Sequence, residues 1–135
     1  AGADVFVGVA AVADYRPVQA EDQKIKKTAD RLSVDFERTT DILKTLGEQK
    51  EKRVLVGFAA ETQHLQDNAR QKLKTKNLDL IVANRIGASG SGFAVDTNRV
   101  TLFFRDGREE GLPLMAKDAL AHALPDRVVP LLPMA

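Results

Sequence analysis

The chain has 135 residues, 44% hydrophobic and 29% charged, the balance of one globular domain with its own core rather than of a disordered tail. Twenty Lys+Arg against nineteen Asp+Glu leave a formal net charge of +1, which excludes the broadly basic surface of a duplex nucleic-acid binder and confines any anion site to a local cluster. Cysteine is absent, which removes disulfide scaffolds, thiolate metal sites and cysteine nucleophiles together, and no run approaches the ~20 apolar residues of a membrane span. With no signal-peptide pattern at its start, the chain reads as cytoplasmic, without a membrane or nucleic-acid partner.

Asp4 to Ala13 is a nearly continuous apolar run and predicts a parallel strand covered on both faces. It begins so early that the expectation is an N-terminally truncated domain, with an upstream βα unit cut away or supplied by other residues. From Pro17 to Arg31 the sequence is polar. Leu32 to Glu37 then alternates apolar and polar, the period of a half-buried strand, and is expected to pair with Lys24-Ile25-Lys26-Lys27 in a hairpin turning near Ala29-Asp30. Thr39-Thr40-Asp41 supplies N-cap oxygens before Ile42, Leu43 and Leu46, which share a helical face. Arg53 to Phe58 predicts the next strand. Glu61-Thr62-Gln63 opens a second helix carrying Leu65, Ala69 and Leu73, and Leu78 to Ala83 is again a strand buried on both faces.

Gly87 to Gly92 reads as a turn, Phe93 to Val95 and Asn98 to Phe104 as two further strands, and Asp106-Gly107 as the turn closing the second. Pro113 to Leu124 has helical spacing with Pro113 suited to a first turn, and the proline-broken tail from Pro125 has no assignment. Strand, helix, strand, helix, strand in that order predicts a three-layer, Rossmann-like α/β fold, its sheet mainly parallel with an antiparallel extension.

Open α/β sheets bind ligands at the carboxyl ends of their parallel strands, which brings forward Ala10 to Arg16, Phe58 to Thr62 and Asn84. Small residues beside Asp14 let a ligand approach the backbone, and Asp14 offers an acceptor for a hydroxyl or a magnesium-bound water; a turn or cap aspartate is the plainer alternative. Lys24 and Lys26 share one side of an extended segment and suit a polyanion such as a triphosphate, or form an ordinary solvated charge run. Lys72 and Lys76, at i and i+4, project from one helix face toward neighbouring phosphates, or with Lys74 complement the helix dipole.

Glu61 with Thr62 reads as capping rather than as a general base, and neither His64 nor His122 has a partner at metal-ligand spacing, so no metal ligand is assigned. A Ser-His-Asp arrangement, a P-loop and G-x-G-x-x-G are all missing, and seven aromatic residues supply no stacking platform for single strands.

Four strings stand in the same order in one known family: Ala10-Ala11-Val12-Ala13-Asp14-Tyr15-Arg16, Lys24-Ile25-Lys26-Lys27, Val56-Gly57-Phe58-Ala59-Ala60-Glu61-Thr62 and Lys76-Asn77-Leu78-Asp79-Leu80-Ile81-Val82-Ala83-Asn84. Gly92-Phe93 with Asp96 and Asn98 fits the same pattern. From about Asp4 to Leu124 the chain resembles phosphopantothenoylcysteine synthetase, the second half of the bifunctional bacterial coenzyme A biosynthesis protein. The resemblance implies a ligase joining 4′-phosphopantothenate to L-cysteine through an acyl-cytidylate, with CTP as co-substrate and magnesium as cofactor. It also implies a homodimer whose lysine-motif arm reaches toward the partner protomer, and a fused or associated flavin-dependent decarboxylase.

Carried over by position, Lys24 resembles the lysine that contacts the triphosphate and is the one catalytic residue so implied. Ala10, Asp14, Asp41, Ile42, Phe58, Lys72 and Lys76 resemble the nucleotide-binding set. Thr39-Thr40 stands where the family carries Asn-Pro, and Arg85 where it commonly carries aspartate. The family's first βα unit, with its glycine- and serine-rich loop, has no counterpart in this sequence, so unless that segment is supplied the expectation is weakened nucleotide binding with ligation lost or severely impaired. The alternative is a noncatalytic nucleotide- or polyanion-binding or oligomerisation module.

Overall fold

Val54, Val56, Leu80, Val82, Val100, Leu102 and Phe104 point to one side of a sheet, and Leu55, Ala59, Ile81, Ala83 and Phe103 to the other. Both sides are buried, so the sheet needs a helical layer on each face. The computed structural model describes residues 2–28, 30–87 and 96–134. In chain order its elements are strands β1 (Val5–Gly8), β2 (Tyr15–Pro17) and β3 (Phe36–Arg38), helix α1 (Ile42–Glu48), strand β4 (Val54–Glu61), helix α2 (Leu65–Thr75), strands β5 (Leu80–Arg85), β6 (Thr97–Asn98), β7 (Val100–Phe104), β8 (Glu109–Gly111) and β9 (Met115–Ala116), helix α3 (Lys117–Val128) and a 3-10 turn at Val129–Leu131.

The main sheet has five strands in the order β1-β4-β5-β7-β8. β1, β4 and β5 are parallel, with Val5 opposite Val54 and Val56 opposite Leu80, while β7 and β8 continue the sheet antiparallel. α1 and α2 cover one face through Leu43, Leu46, Leu65, Ala69 and Leu73; α3 covers the other through Leu120, Leu124 and Val128. Placing α1 and α2 on the same face is what right-handed crossovers between strands laid down in one direction require. Each fully buried Val, Leu, Ile or Phe contributes about 1.5–3 kcal/mol of transfer free energy, which makes this double-sided core the main source of stability.

One polar anchor sits at the foot of the sheet. Asp79 accepts the Leu55 N–H at 2.8 Å and the Lys50 ammonium at 2.5 Å, with the Arg105 guanidinium 3.9 Å away. Its backbone N–H donates to Leu55 O, and its carbonyl accepts from Arg105 N–H. A tight approach fixes α1 beside the same corner: a Cβ at Gly47 would stand 2.0 Å from the carbonyl oxygen of Lys76, so only glycine fits.

The three-layer, mainly parallel fold expected from the sequence is the fold observed. Several details differ. β1 ends at Gly8, not Ala13, and Val7 remains 44% exposed, because β1 pairs with β4 on one edge only; Val9 to Ala13 leave the sheet as a loop. An apolar run of small residues does not distinguish a buried strand from such a loop. β3 pairs with β2 rather than with the lysine run, held by Arg16 Nε to Glu37 at 2.9 Å, Val18 N–H to Asp35 O and the Arg38 guanidinium over the Tyr15 ring. Lys24 to Lys27 have no strand pairing.

α2 begins at Leu65, after His64 in a left-handed conformation, because Glu61 still belongs to β4. Thr97-Asn98 separates from β7 to pair with Met115-Ala116, which delays α3 to Lys117. Pro125 lies inside α3 rather than ending it, and the expected strand at Phe93 to Val95 lies outside the described residues.

Replacing Asp79 by Ala leaves the Lys50 ammonium and the Leu55 N–H without their acceptor in a largely buried corner. Urea unfolding followed by circular dichroism is expected to show a loss of about 2–3 kcal/mol, against less than about 0.5 kcal/mol for the exposed control Glu21→Ala. An equal, small loss in both variants contradicts the anchor.

Candidate functional site

Where β1 and β4 end, the sheet opens into a cleft of about 410 Å³. Its floor is the loop that follows β1, from Val9 to Asp14, with Phe58, Ala59 and Ala60 of β4. One wall is Thr39 to Leu43 at the start of α1, and the other carries Lys72 of α2 and Lys76 at its C-cap. The cleft therefore sits where parallel α/β sheets bind their ligands, and its alanines leave the backbone approachable.

Local chemistry explains the placement. Asp41 caps α1 by accepting the Lys44 N–H at 3.1 Å, and its other oxygen lies 3.1 Å from the Lys76 ammonium, so one carboxylate both starts α1 and joins it to α2. Thr39 donates its hydroxyl to Ala13 O at 2.5 Å and its N–H to Asp14 O at 2.9 Å, which fastens the β1 loop to the α1 wall. On the other side Lys72 donates to Glu61 at 2.7 Å, and Glu61 also accepts from the Asn68 side chain at 3.1 Å. Phe58 projects from β4 toward the α3 face, where it packs against the core while its edge borders the cleft.

Burial pushes the Asp41 carboxyl upward, but the Lys44 N–H and the Lys76 ammonium outweigh it and hold Asp41 below the ordinary aspartate range. Glu61 behaves the same way: burial raises it, and Lys72 and Asn68 together bring it below the usual glutamate value. Both carboxylates are ionised at neutral pH and each holds one ammonium, so two ion pairs stand along the cleft that Lys72 and Lys76 line.

Of the residues the sequence singled out, Ala10, Asp14, Asp41, Ile42, Phe58, Lys72 and Lys76 all border this cleft. Lys24 does not; it is exposed in the segment between β2 and β3, and within one chain it is not brought beside Lys72 and Lys76. Lys74 faces away, toward a separate groove with Arg70 and Arg105. Glu61 is not a helix cap, since its oxygens serve Asn68 and Lys72 side chains from the end of a strand. Thr39, read from the sequence as a cap residue, instead fastens the β1 loop, and the Glu61–Asn68 contact was not foreseen; the spacing of Asn68, Lys72 and Lys76 by four residues was the available signal for the second. Among the described residues no three His, Asp or Glu side chains cluster as a metal site, and no helix is long and apolar enough to cross a membrane.

A three-layer α/β domain with a cleft at its parallel strand ends, lined by two lysines and two aspartates, is of the Rossmann-like class, whose ligands bind at that edge. Residues 1–131 match the DNA/pantothenate metabolism flavoprotein C-terminal domain, and the chain belongs to that family. It is 53% identical over 114 residues to the coenzyme A biosynthesis bifunctional protein CoaBC of Bacillus subtilis (strain 168), covering 84% of this chain and 28% of that protein. It is 42% identical over 130 residues to the protein of the same name from Escherichia coli (strain K12), covering 93% and 32%. The chain thus spans less than a third of the length of these relatives.

Among solved structures, the crystal structure of the C-terminal domain of a CoaBC protein superposes with a TM-score of 0.71 at 42% identity, over 93% of this chain and 55% of that one. A DNA/pantothenate metabolism flavoprotein from Streptococcus pneumoniae shares the fold, with a TM-score of 0.71 at 23% identity.

Because Asp41 and Glu61 titrate lower folded than unfolded, their ionised forms add stability that is present above the unfolded range, near pH 4–4.5, and lost as pH falls through the folded values. Asp41→Asn and Glu61→Gln are each expected to flatten the stability curve measured by urea unfolding between about pH 3 and 6. An unchanged acid slope in both variants contradicts the ion-paired wall.

Proposed function

We propose that this chain is the nucleotide-holding part of a phosphopantothenate–cysteine ligase of coenzyme A biosynthesis that uses CTP and works in the cytoplasm. The observation that carries this reading is the convergence of Ala10, Asp14, Asp41, Ile42, Phe58, Lys72 and Lys76 on one cleft, in a chain related along most of its length to CoaBC proteins. In the proposed reaction a carboxylate oxygen of 4′-phosphopantothenate attacks the α-phosphorus of CTP, the α–β anhydride bond breaks, and pyrophosphate leaves. The amine of L-cysteine then attacks the acyl carbon of the acyl-cytidylate, an amide forms with loss of a proton, and CMP leaves.

The chemistry asks mainly for positioning and charge stabilisation, which lysines supply without a covalent nucleophile. Lys72 and Lys76 take the phosphates, Phe58 offers an apolar edge to the nucleoside, and the alanines of the β1 loop allow close approach. Magnesium is usually held by one or two carboxylates together with substrate phosphates, and Asp14 on the cleft floor fits that role. When bound, the ion supplies neutralisation of triphosphate charge.

Lys24 enters this reading through a second copy. The segment that carries it exposes Val18, Ile25, Leu32, Val34 and Phe36, apolar side chains that gain from being covered, and a homodimer would bring the lysine of one protomer to the cleft of the other. A flavin-dependent decarboxylase, fused or associated, completes the proposed setting. The position of Lys24 outside the cleft favours one rival, a noncatalytic nucleotide- or polyanion-binding module.

Calorimetric titration with CTP and magnesium tests the reading. Lys72→Met and Lys76→Met are each expected to weaken binding about tenfold, the loss of one charge-assisted hydrogen bond. Equal affinities in wild type and both variants contradict it.

Mixing Lys24→Gln protein with Lys72→Met protein is expected to restore binding at one site of each mixed dimer; no restoration places Lys24 in cis or outside the site. Pyrophosphate release with 4′-phosphopantothenate and CTP separates ligase from noncatalytic module, since turnover rejects the latter.

A further inference from the structure

Asn68 and Lys72 stand one turn apart on one face of α2, with Lys76 at the C-cap four residues on, and Glu61 serves the first two of them. Glu61 is the last residue of β4, its carbonyl oxygen accepts the Ile86 N–H at 2.9 Å, and its side chain is only 15% exposed, so its carboxylate is anchored to the sheet. One oxygen accepts from Lys72 at 2.7 Å and the other from Asn68 at 3.1 Å. Asn68 is itself held, its amide nitrogen 3.3 Å from Gln63 O and its backbone N–H bonded to His64 O. Lys72, by contrast, is 40% exposed and reaches the cleft on a long flexible stem.

Such a side chain loses much rotamer freedom when a ligand fixes it, and a partner that orders it beforehand removes part of that cost. An ammonium has three donors, and Glu61 takes one, leaving two for a ligand. Glu61 does not border the cleft itself, so it acts on the cleft only through Lys72.

We propose that Glu61, steadied by Asn68, is a positioning residue that presets the Lys72 ammonium for the phosphates of a nucleoside triphosphate. The proposal rests on the nucleotide reading above and adds a residue to it. A cap would touch helix N–H groups, and Glu61 instead binds two side chains. A plug that competes with the ligand predicts the opposite sign: removing the charge would tighten binding.

Two measurements on the dimeric or monomeric full chain test it. In the ligand-free protein, lysines carrying ¹³C-dimethyl groups are observed by NMR, with Lys72 assigned from its loss in Lys72→Met. Glu61→Gln is expected to shift that resonance toward the exposed lysines and increase its mobility, with Glu61→Asp in between. An unchanged Lys72 signal overturns the proposal.

CTP and inorganic tripolyphosphate are then titrated into wild type, Glu61→Gln, Lys72→Met and the double variant, each checked for a native spectrum. Glu61→Gln is expected to weaken both ligands about 3- to 10-fold and to have no further effect once Lys72 is gone. Tighter binding by Glu61→Gln, or penalties that simply multiply, overturns the proposal. Wild-type protein that binds neither probe overturns the nucleotide reading and the phosphate role with it, while the ligand-free spectra still decide whether Glu61 orders Lys72.

Discussion

Asp79 is the constraint on which the rest of the molecule depends. Its carboxylate gathers the Leu55 N–H of β4, the ammonium of Lys50 from the α1–β4 connection and, at longer range, Arg105 at the end of β7. The backbone of the same residue bonds to Leu55 on one side and Arg105 on the other. The starts of β4 and β5 and the end of the antiparallel β7 are thereby held level, which sets the register in which the parallel strands run toward the opposite edge. Ala60 comes opposite Asn84, and β1, paired in register through Gly8 and Gly57, stops short enough to release its loop over the strand ends.

The cleft is the consequence of that ending. Its polar wall belongs to two helices on one face, and the carboxylates that bind them are also structural: Asp41 starts α1 and grips Lys76, and Glu61 ends β4 and grips Lys72. A chain with almost no net charge can in this way bring ammonium groups to one cleft without paying their mutual repulsion, because each is matched by a carboxylate. The carboxylates that hold the helices and strand in place also hold the lysines that line the cleft.

The layer order, the parallel core and the α1 cap were legible because each rests on local patterning: continuous apolar runs at Val54 and Leu80, a Thr-Thr-Asp cap before Ile42, and lysines four apart at 72 and 76. What stayed hidden depends on partners distant in the chain. Alternation at Leu32 to Glu37 announces a strand, yet nothing local says that Phe36 to Arg38 pairs with Tyr15 to Pro17 instead of the nearer lysine run. Ala10 to Ala13 are as apolar as the strand they follow, so composition hid the point where β1 stops. Glu61 looked like a helix start because it precedes α2 by four residues; only the structure shows its carboxylate turned toward side chains one and two turns into that helix. Lys24 was singled out by its motif alone, and within one chain it stays exposed and outside the cleft, so local patterning could not say what it faces.

The most direct test of the central claim, that the strand-end cleft is the nucleotide site, is a map of backbone amide shifts in ¹⁵N-labelled protein as CTP and magnesium are added. Saturable shifts confined to the amides of Ala10, Asp14, Ile42, Phe58, Lys72 and Lys76 and their immediate neighbours are the predicted result. Shifts centred instead on Leu120 to Val128 of α3, or none at millimolar nucleotide, would contradict it.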